Sequence, residues 1–208
     1  MTAVSQPLPM TRREFLYYVW GASMALLMAE SVGATLWFTL PRFREGEFGG
    51  LFPLEVTAIP EVDSKPKGIP DGRFWLVNVG DKRINDPRFA QVGTEKFRPK
   101  NKGLKVIYMV CVHLGCLYGW GDASDRFECP CHGSKYLADG TTYSNPANRN
   151  LDTFEFEFQD AAGNTLAKSE PDADGNIQPV EIPSGATTIV VNTGKRFNGQ
   201  SNDPGKNN

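Results

Sequence analysis

The chain has 208 residues, with 22 Lys and Arg against 24 Asp and Glu and a formal net charge of −2. That length accommodates one substantial core with an appendage, and the charge excludes the basic field that nucleic-acid binding requires. With 21 glycines and 15 prolines the composition favours a loop-rich β body over a helical bundle, and four cysteines are too few for a disulfide-dense scaffold.

Residues 1–14 form a polar N-terminal segment that ends in Thr11-Arg12-Arg13-Glu14. Arg12-Arg13, followed by Glu14 and then Phe15-Leu16, has the pattern of a twin-arginine export signal. Residues 15–40 contain one charge, Glu30, and reach about 39 Å if helical at roughly 1.5 Å per residue, enough to cross a bilayer with tilt. No Ala-x-Ala site closes the run, so it reads as an uncleaved signal anchor with Trp20 and Trp37 towards its ends. Arg42 and Arg44 balance Arg12 and Arg13, and the twin-arginine pattern then sets a cytoplasmic N-terminus. A carboxylate in the span either faces a neighbouring subunit or sits neutral or near an interface.

Residues 41–52, with three glycines among charges, read as a flexible hinge, and residues 53–194 as the globular body. Five strands are predicted, at 54–59, 74–79, 105–110, 152–158 and 187–192. In the fourth, Phe154, Phe156 and Phe158 alternate with Glu155 and Glu157, which predicts one buried and one wet face. Residues 81–102 and 160–183 read as long loops, the second with an acidic turn at 172–175, and 195–208 as a disordered polar tail.

All four cysteines and both histidines lie between Cys111 and His132. Cys111-x-His113 and Cys129-x-x-His132 each offer one thiolate and one imidazole, fifteen residues apart, as two adjacent loops around a compact metal centre. Two fillings are open. Zinc would take two sulfurs and two nitrogens and leave Cys116 and Cys131 without a part. A 2Fe-2S cluster would take both cysteines on one iron and both histidines on the other.

Cys-Val-His-Leu-Gly-Cys and Cys-Pro-Cys-His-Gly-Ser resemble the two cluster-binding boxes of Rieske iron–sulfur proteins, in the form found in quinol-oxidising cytochrome bc and bf complexes. The resemblance implies a mostly β, antiparallel head domain with a cluster-binding subdomain behind one N-terminal transmembrane helix. It implies one 2Fe-2S cluster on Cys111, Cys129, His113 and His132, and a Cys116–Cys131 disulfide. Ser134 and Tyr136 would donate hydrogen bonds to a sulfide and a cysteine sulfur, and Leu114 and Pro146 would shield the cluster. His132 would meet quinol. The segment at 144–148 resembles the family's proline loop with only one proline, and Val112 stands where the family usually has threonine.

The implied partners are a cytochrome b-type membrane subunit, a c-type cytochrome or equivalent acceptor, and quinol, in a multi-subunit and dimeric complex. The head would lie on the periplasmic or lumenal side of a bacterial inner or photosynthetic membrane. An alternative of another class is the Rieske small subunit of a molybdenum oxidase of the arsenite-oxidase type. Two thiolates and two neutral imidazoles leave an oxidised cluster uncharged, so an added electron is easier to accept than on four thiolates.

Overall fold

The computed structural model describes residues 10–40, 46, 48–172 and 175–201. Arg42 and Arg44, half of the expected hinge, Ala173 and Asp174 of the acidic turn, and 202–208 of the expected tail lie outside the described residues. The chain divides into two units, residues 1–42 and 43–208.

The first unit is helix α1 (Arg12–Thr39). Thr11 caps it: the Glu14 backbone N–H donates to the Thr11 hydroxyl at 3.3 Å, and the Thr11 N–H donates to the Glu14 carboxylate at 2.9 Å. This reciprocal capping box places Arg12 and Arg13 inside the first turn, three residues before the expected start of the anchor. Pro41 follows the C-cap Leu40, where a proline disfavours a continuing helix. Among the described residues α1 is the one helix long and apolar enough to cross a membrane.

Among the described residues the second unit contains eleven strands. They are β1 (Leu51–Glu55), β2 (Lys67–Ile69), β3 (Phe74–Val79), β4 (Gly103–Tyr108), β5 (Gly119–Gly121), β6 (Arg126–Glu128), β7 (Lys135–Tyr136), β8 (Thr142–Ser144), β9 (Thr153–Gln159), β10 (Thr165–Lys168) and β11 (Thr188–Phe197). Six run in the order β1-β11-β9-β4-β3-β2, with β10 on β9, and every pairing is antiparallel. A second sheet, β5-β6-β7-β8, lies wholly between β4 and β9 in sequence. The chain leaves and re-enters the large sheet at one place, because the Tyr108 N–H donates to the Asp152 carbonyl at 2.8 Å.

Side-chain alternation sorts two cores. Phe74, Leu76, Leu104, Val106, Phe154, Phe156, Phe158, Ile189 and Val191 fill the first. Val77, Val79 and Ile107, on the opposite faces of β3 and β4, join Tyr118, Phe127, Tyr136 and Leu151 in the second. β3 and β4 are therefore buried on both sides and form a shared wall between the base and the small sheet.

Several sequence expectations change. The strand expected at 54–59 is β1, which begins at Leu51 and gives way to a 3-10 turn at Val56. Its Pro53 is tolerated because β1 is an edge strand. The hinge cannot extend to 52: Phe48 stacks on Tyr108 at 5.9 Å, and the Gly49 N–H donates to the Thr193 hydroxyl at 2.8 Å. The tail does not begin at Lys195, because β11 continues past a bulge to Phe197 and the Asn150 N–H donates to the Gln200 carbonyl. The wet face of β9 is also partly covered: Glu155 is buried beneath Lys195 at 2.7 Å and Lys168 at 3.1 Å.

Neither long loop is open. Residues 81–102 hold two short helices, α2 (Asp81–Ile84) and α3 (Arg88–Gln91), with Phe89 and Phe97 buried. Arg83 lies over the Trp120 ring at 5.2 Å and pairs with Asp125 at 2.7 Å. Arg88 pairs with Asp86 at 2.5 Å and donates to the carbonyls of Ser124 and Asp125 at 3.1 Å each. The segment is a brace against the β5–β6 turn. In 160–183, β10 pairs with β9, and Leu104 and Val180 exchange backbone hydrogen bonds at 2.8 and 2.9 Å.

Candidate metal centre

Two loops at the edge of the second core carry the chemistry, and they close in the same way. The Cys111 N–H donates to the Cys116 carbonyl and the Gly115 N–H to the Cys111 carbonyl. In the second loop the Cys129 N–H donates to the Ser134 carbonyl and the Gly133 N–H to the Cys129 carbonyl. Gly115 and Gly133 have φ of 82° and 78°, the left-handed conformation that favours glycine at the fifth position of each loop. Each loop thus buries its leading cysteine and turns its middle residues outward.

Cys111 and Cys129 are free thiols and buried. Cys116 and Cys131 form a disulfide between the loops, with Cα atoms 6.5 Å apart. The Cys129 sulfur lies within 4.8 Å of both disulfide sulfurs. The His113 and His132 rings meet edge to face, with centroids 4.8 Å apart; His113 is half-buried and His132 exposed. The two loops thus bring the histidine rings onto each other and bury the thiols of Cys111 and Cys129, while His132 stays exposed.

The surrounding groups fit a metal–sulfur group. The buried His113 Nδ1 has no hydrogen-bond partner among the described residues, and an unsatisfied buried nitrogen demands one. Burial pushes the Cys129 thiol up although the backbone N–H groups of Cys131 and His132 favour its thiolate. A coordinated metal would reverse that balance, because it takes the thiol deprotonated. The Tyr136 hydroxyl is 3.0 Å from the Cys111 sulfur. Burial and then the adjacent Cys111 hold that phenol far above its ordinary value, so it keeps its proton and is able to donate it to a thiolate at Cys111. Ser134 is fully buried and its oxygen accepts the Ala147 N–H at 3.2 Å, which leaves its own proton to give.

A model of the Rieske [2Fe-2S] domain matches residues 72–155. The cytochrome b6-f complex iron-sulfur subunit 2 of Nostoc sp. (strain PCC 7120) is 44% identical over 158 residues, covering 73% of this chain and 82% of that protein. This chain belongs to the Rieske 2Fe-2S protein family. The cytochrome b6-f complex iron-sulfur subunit of Gloeobacter violaceus is 30% identical over 150 residues, or 72% of this chain and 78% of the relative. A chain of a hyperthermophilic respiratory complex III matches 82% of this chain and 98% of its own length at 17% identity and a TM-score of 0.39.

One 2Fe-2S cluster is the cofactor of this Rieske domain, which makes the chain an electron-transfer protein. Leu114 and Pro146 are both exposed, Leu114 at 69%, and Leu117 is exposed at 65%. Sequence reasoning missed Tyr118, which is buried with its hydroxyl donating to the Tyr108 carbonyl at 2.6 Å. Its ring packs between Phe127 and Tyr136 and so backs the Cys111 donor. The aromatic run Tyr118-Gly119-Trp120 directly after the first box was the available signal.

Proposed function

We propose that this chain is the iron–sulfur subunit of a quinol-oxidising cytochrome bc or b6-f-type complex, with Cys111 and Cys129 on one iron and His113 and His132 on the other. The observation that carries the reading is that His132, edge to face with His113, is exposed while the thiols of Cys111 and Cys129 in the same two loops are buried. An electron site is buried and a proton site faces out. The cluster, when bound, supplies one-electron acceptance at high potential. His132 accepts a quinol proton, because negative charge gained next to an imidazole favours its protonated form. Tyr136 has its hydroxyl at the Cys111 sulfur, the buried Ser134 hydroxyl would give its proton to a cluster sulfur, and the exposed Leu114 and Pro146 would form an apolar rim that excludes water on docking.

The relatives named as b6-f subunits support a b-type cytochrome as membrane partner and a c-type cytochrome or equivalent as acceptor. Arg12 and Arg13 act as the export signal, α1 is the retained anchor, and the head stands on the periplasmic or lumenal side. Isolation from membranes in mild detergent tests this. The expected preparation is coloured, contains b-type haem, and when reduced gives the EPR signal of a mixed-ligand 2Fe-2S centre. A molybdenum subunit in place of the haem protein would move the chain to the arsenite-oxidase class. A colourless, zinc-loaded protein would overturn the cluster reading itself.

A further inference from the structure

Helix α1 carries one carboxylate beyond its capping turn, Glu30, which has no part in the redox site. A hydrocarbon layer about 30 Å thick takes about 20 residues of helix. Wherever such a window is placed between Phe15 and Thr39, Glu30 falls inside it, at least about 6 Å from the C-terminal edge. Helical Cα–Cβ bonds tilt towards the N-terminus. The side chain therefore leaves the backbone towards the middle of the layer and away from its nearer surface.

Its own helix does not neutralise it. The nearest basic residues in the sequence, Arg13 and Arg42, lie more than three turns away. On the same face, Leu26 and Leu27 stand one turn before Glu30, and Gly33 and Ala34 one turn after. Ser23, two turns before, donates its hydroxyl to the Val19 carbonyl at 2.8 Å. Beside Gly33 a Cβ would meet nothing within 4 Å, so a neighbouring backbone can approach there.

We propose that Glu30 pairs with a basic side chain on a transmembrane helix of the membrane subunit, packed along the Ser23, Glu30, Gly33 and Ala34 face. The charge chooses the occupant: a carboxylate held within hydrocarbon is stabilised by a cation at the same depth. This rests on the proposed membership of a bc or b6-f-type complex.

The test uses the full-length chain in complexes purified from membranes, with wild type, Glu30→Leu, Glu30→Gln, and Met28→Leu on the opposite face. The readout is the amount of this chain per b-type haem after a detergent wash, with the 2Fe-2S EPR signal as the check on the head. Met28→Leu should match wild type, while both Glu30 variants should be retained about tenfold less. Glu30→Leu makes α1 more apolar, so poorer insertion cannot cause its loss. Wild-type retention of Glu30→Leu overturns the inference and leaves the subunit reading standing. Wild-type retention of Glu30→Gln with loss of Glu30→Leu means a neutral partner and overturns the basic one. A wild-type chain isolated without b-type haem overturns the subunit reading, and this inference with it.

Discussion

A phenol that keeps its proton beside a thiolate stabilises negative charge, and reduction adds negative charge. Tyr136, 3.0 Å from the Cys111 sulfur, should therefore raise the potential of the bound centre. If Tyr136→Phe removes about 1 kcal/mol of preference for the reduced form, the midpoint falls by roughly 40 mV for one electron. Ser134→Ala should shift it the same way and also release the Ala147 N–H. Redox titration followed by EPR measures both, and unchanged midpoints would remove these roles. A second buried pair lies nearby in sequence. Lys105 projects from β4, 3.8 Å from Asp139, whose side chain also accepts from the Thr141 N–H and hydroxyl. Burial holds the Lys105 ammonium below its ordinary value despite Asp139. Asp139→Ala should cost about 3 kcal/mol in denaturant unfolding by stranding that ammonium, and adding Lys105→Met should recover part of it. At this scale the sequence was informative where residue types are rare: six sulfur and imidazole side chains within one stretch advertise a site. It was silent on Lys105 and Asp139, because charge alone does not distinguish a buried pair from a solvated surface.

The brace formed by α2 and α3 makes its prediction at the level of elements. Arg83 is buried between Asp125 and the Trp120 ring, and Trp120 packs on Phe127, which packs on Tyr118. Arg83→Ala should cost about 2 kcal/mol and raise amide exchange in the β5–β6 hairpin, with the base strands little changed. Uniform loosening of both sheets would argue against a local brace. β3 was legible in full because an apolar run bounded by turn residues is a strand signal, and the core of β9 because its phenylalanines alternate. β5 to β8 were not: two- and three-residue strands are too short to show a period and owe their pairing to the second core. The brace was hidden for a different reason. Its Arg, Lys and Asp residues read as solvent-facing, whereas Arg88 pairs with Asp86 and backbone carbonyls, and Arg83 with Asp125, inside the fold.

Across the whole head, acid should act through a few carboxylates. Burial pushes Asp86, Asp125 and Glu155 up, but Arg88 at the first, Arg83 with Lys82 at the second, and Lys195 with Lys168 at the third outweigh it, leaving each below its ordinary value. Lowered folded values mean that the unfolded chain takes protons more readily. The stability these groups add is complete above the unfolded carboxylate range near pH 4, and is lost as pH falls through that range towards the lower folded values. Thermal melts of the head from pH 6 to 3 should show the midpoint fall steeply below about pH 4, whereas a constant midpoint would remove these pairs from the account. The hydrogen bond from Tyr108 to Asp152 has a consequence for how such a head can be assembled. The base holds both ends of the cluster-bearing segment together, so closing that segment into a loop adds little further entropy cost. The small sheet and its two loops are a cassette mounted on a socket. A graft of residues 109–151 between two antiparallel strands of another β host with the same strand separation would need to rebuild the apolar wall supplied by Val77, Val79 and Ile107, the Arg83 and Arg88 contacts of the brace, and the Lys105 partner of Asp139.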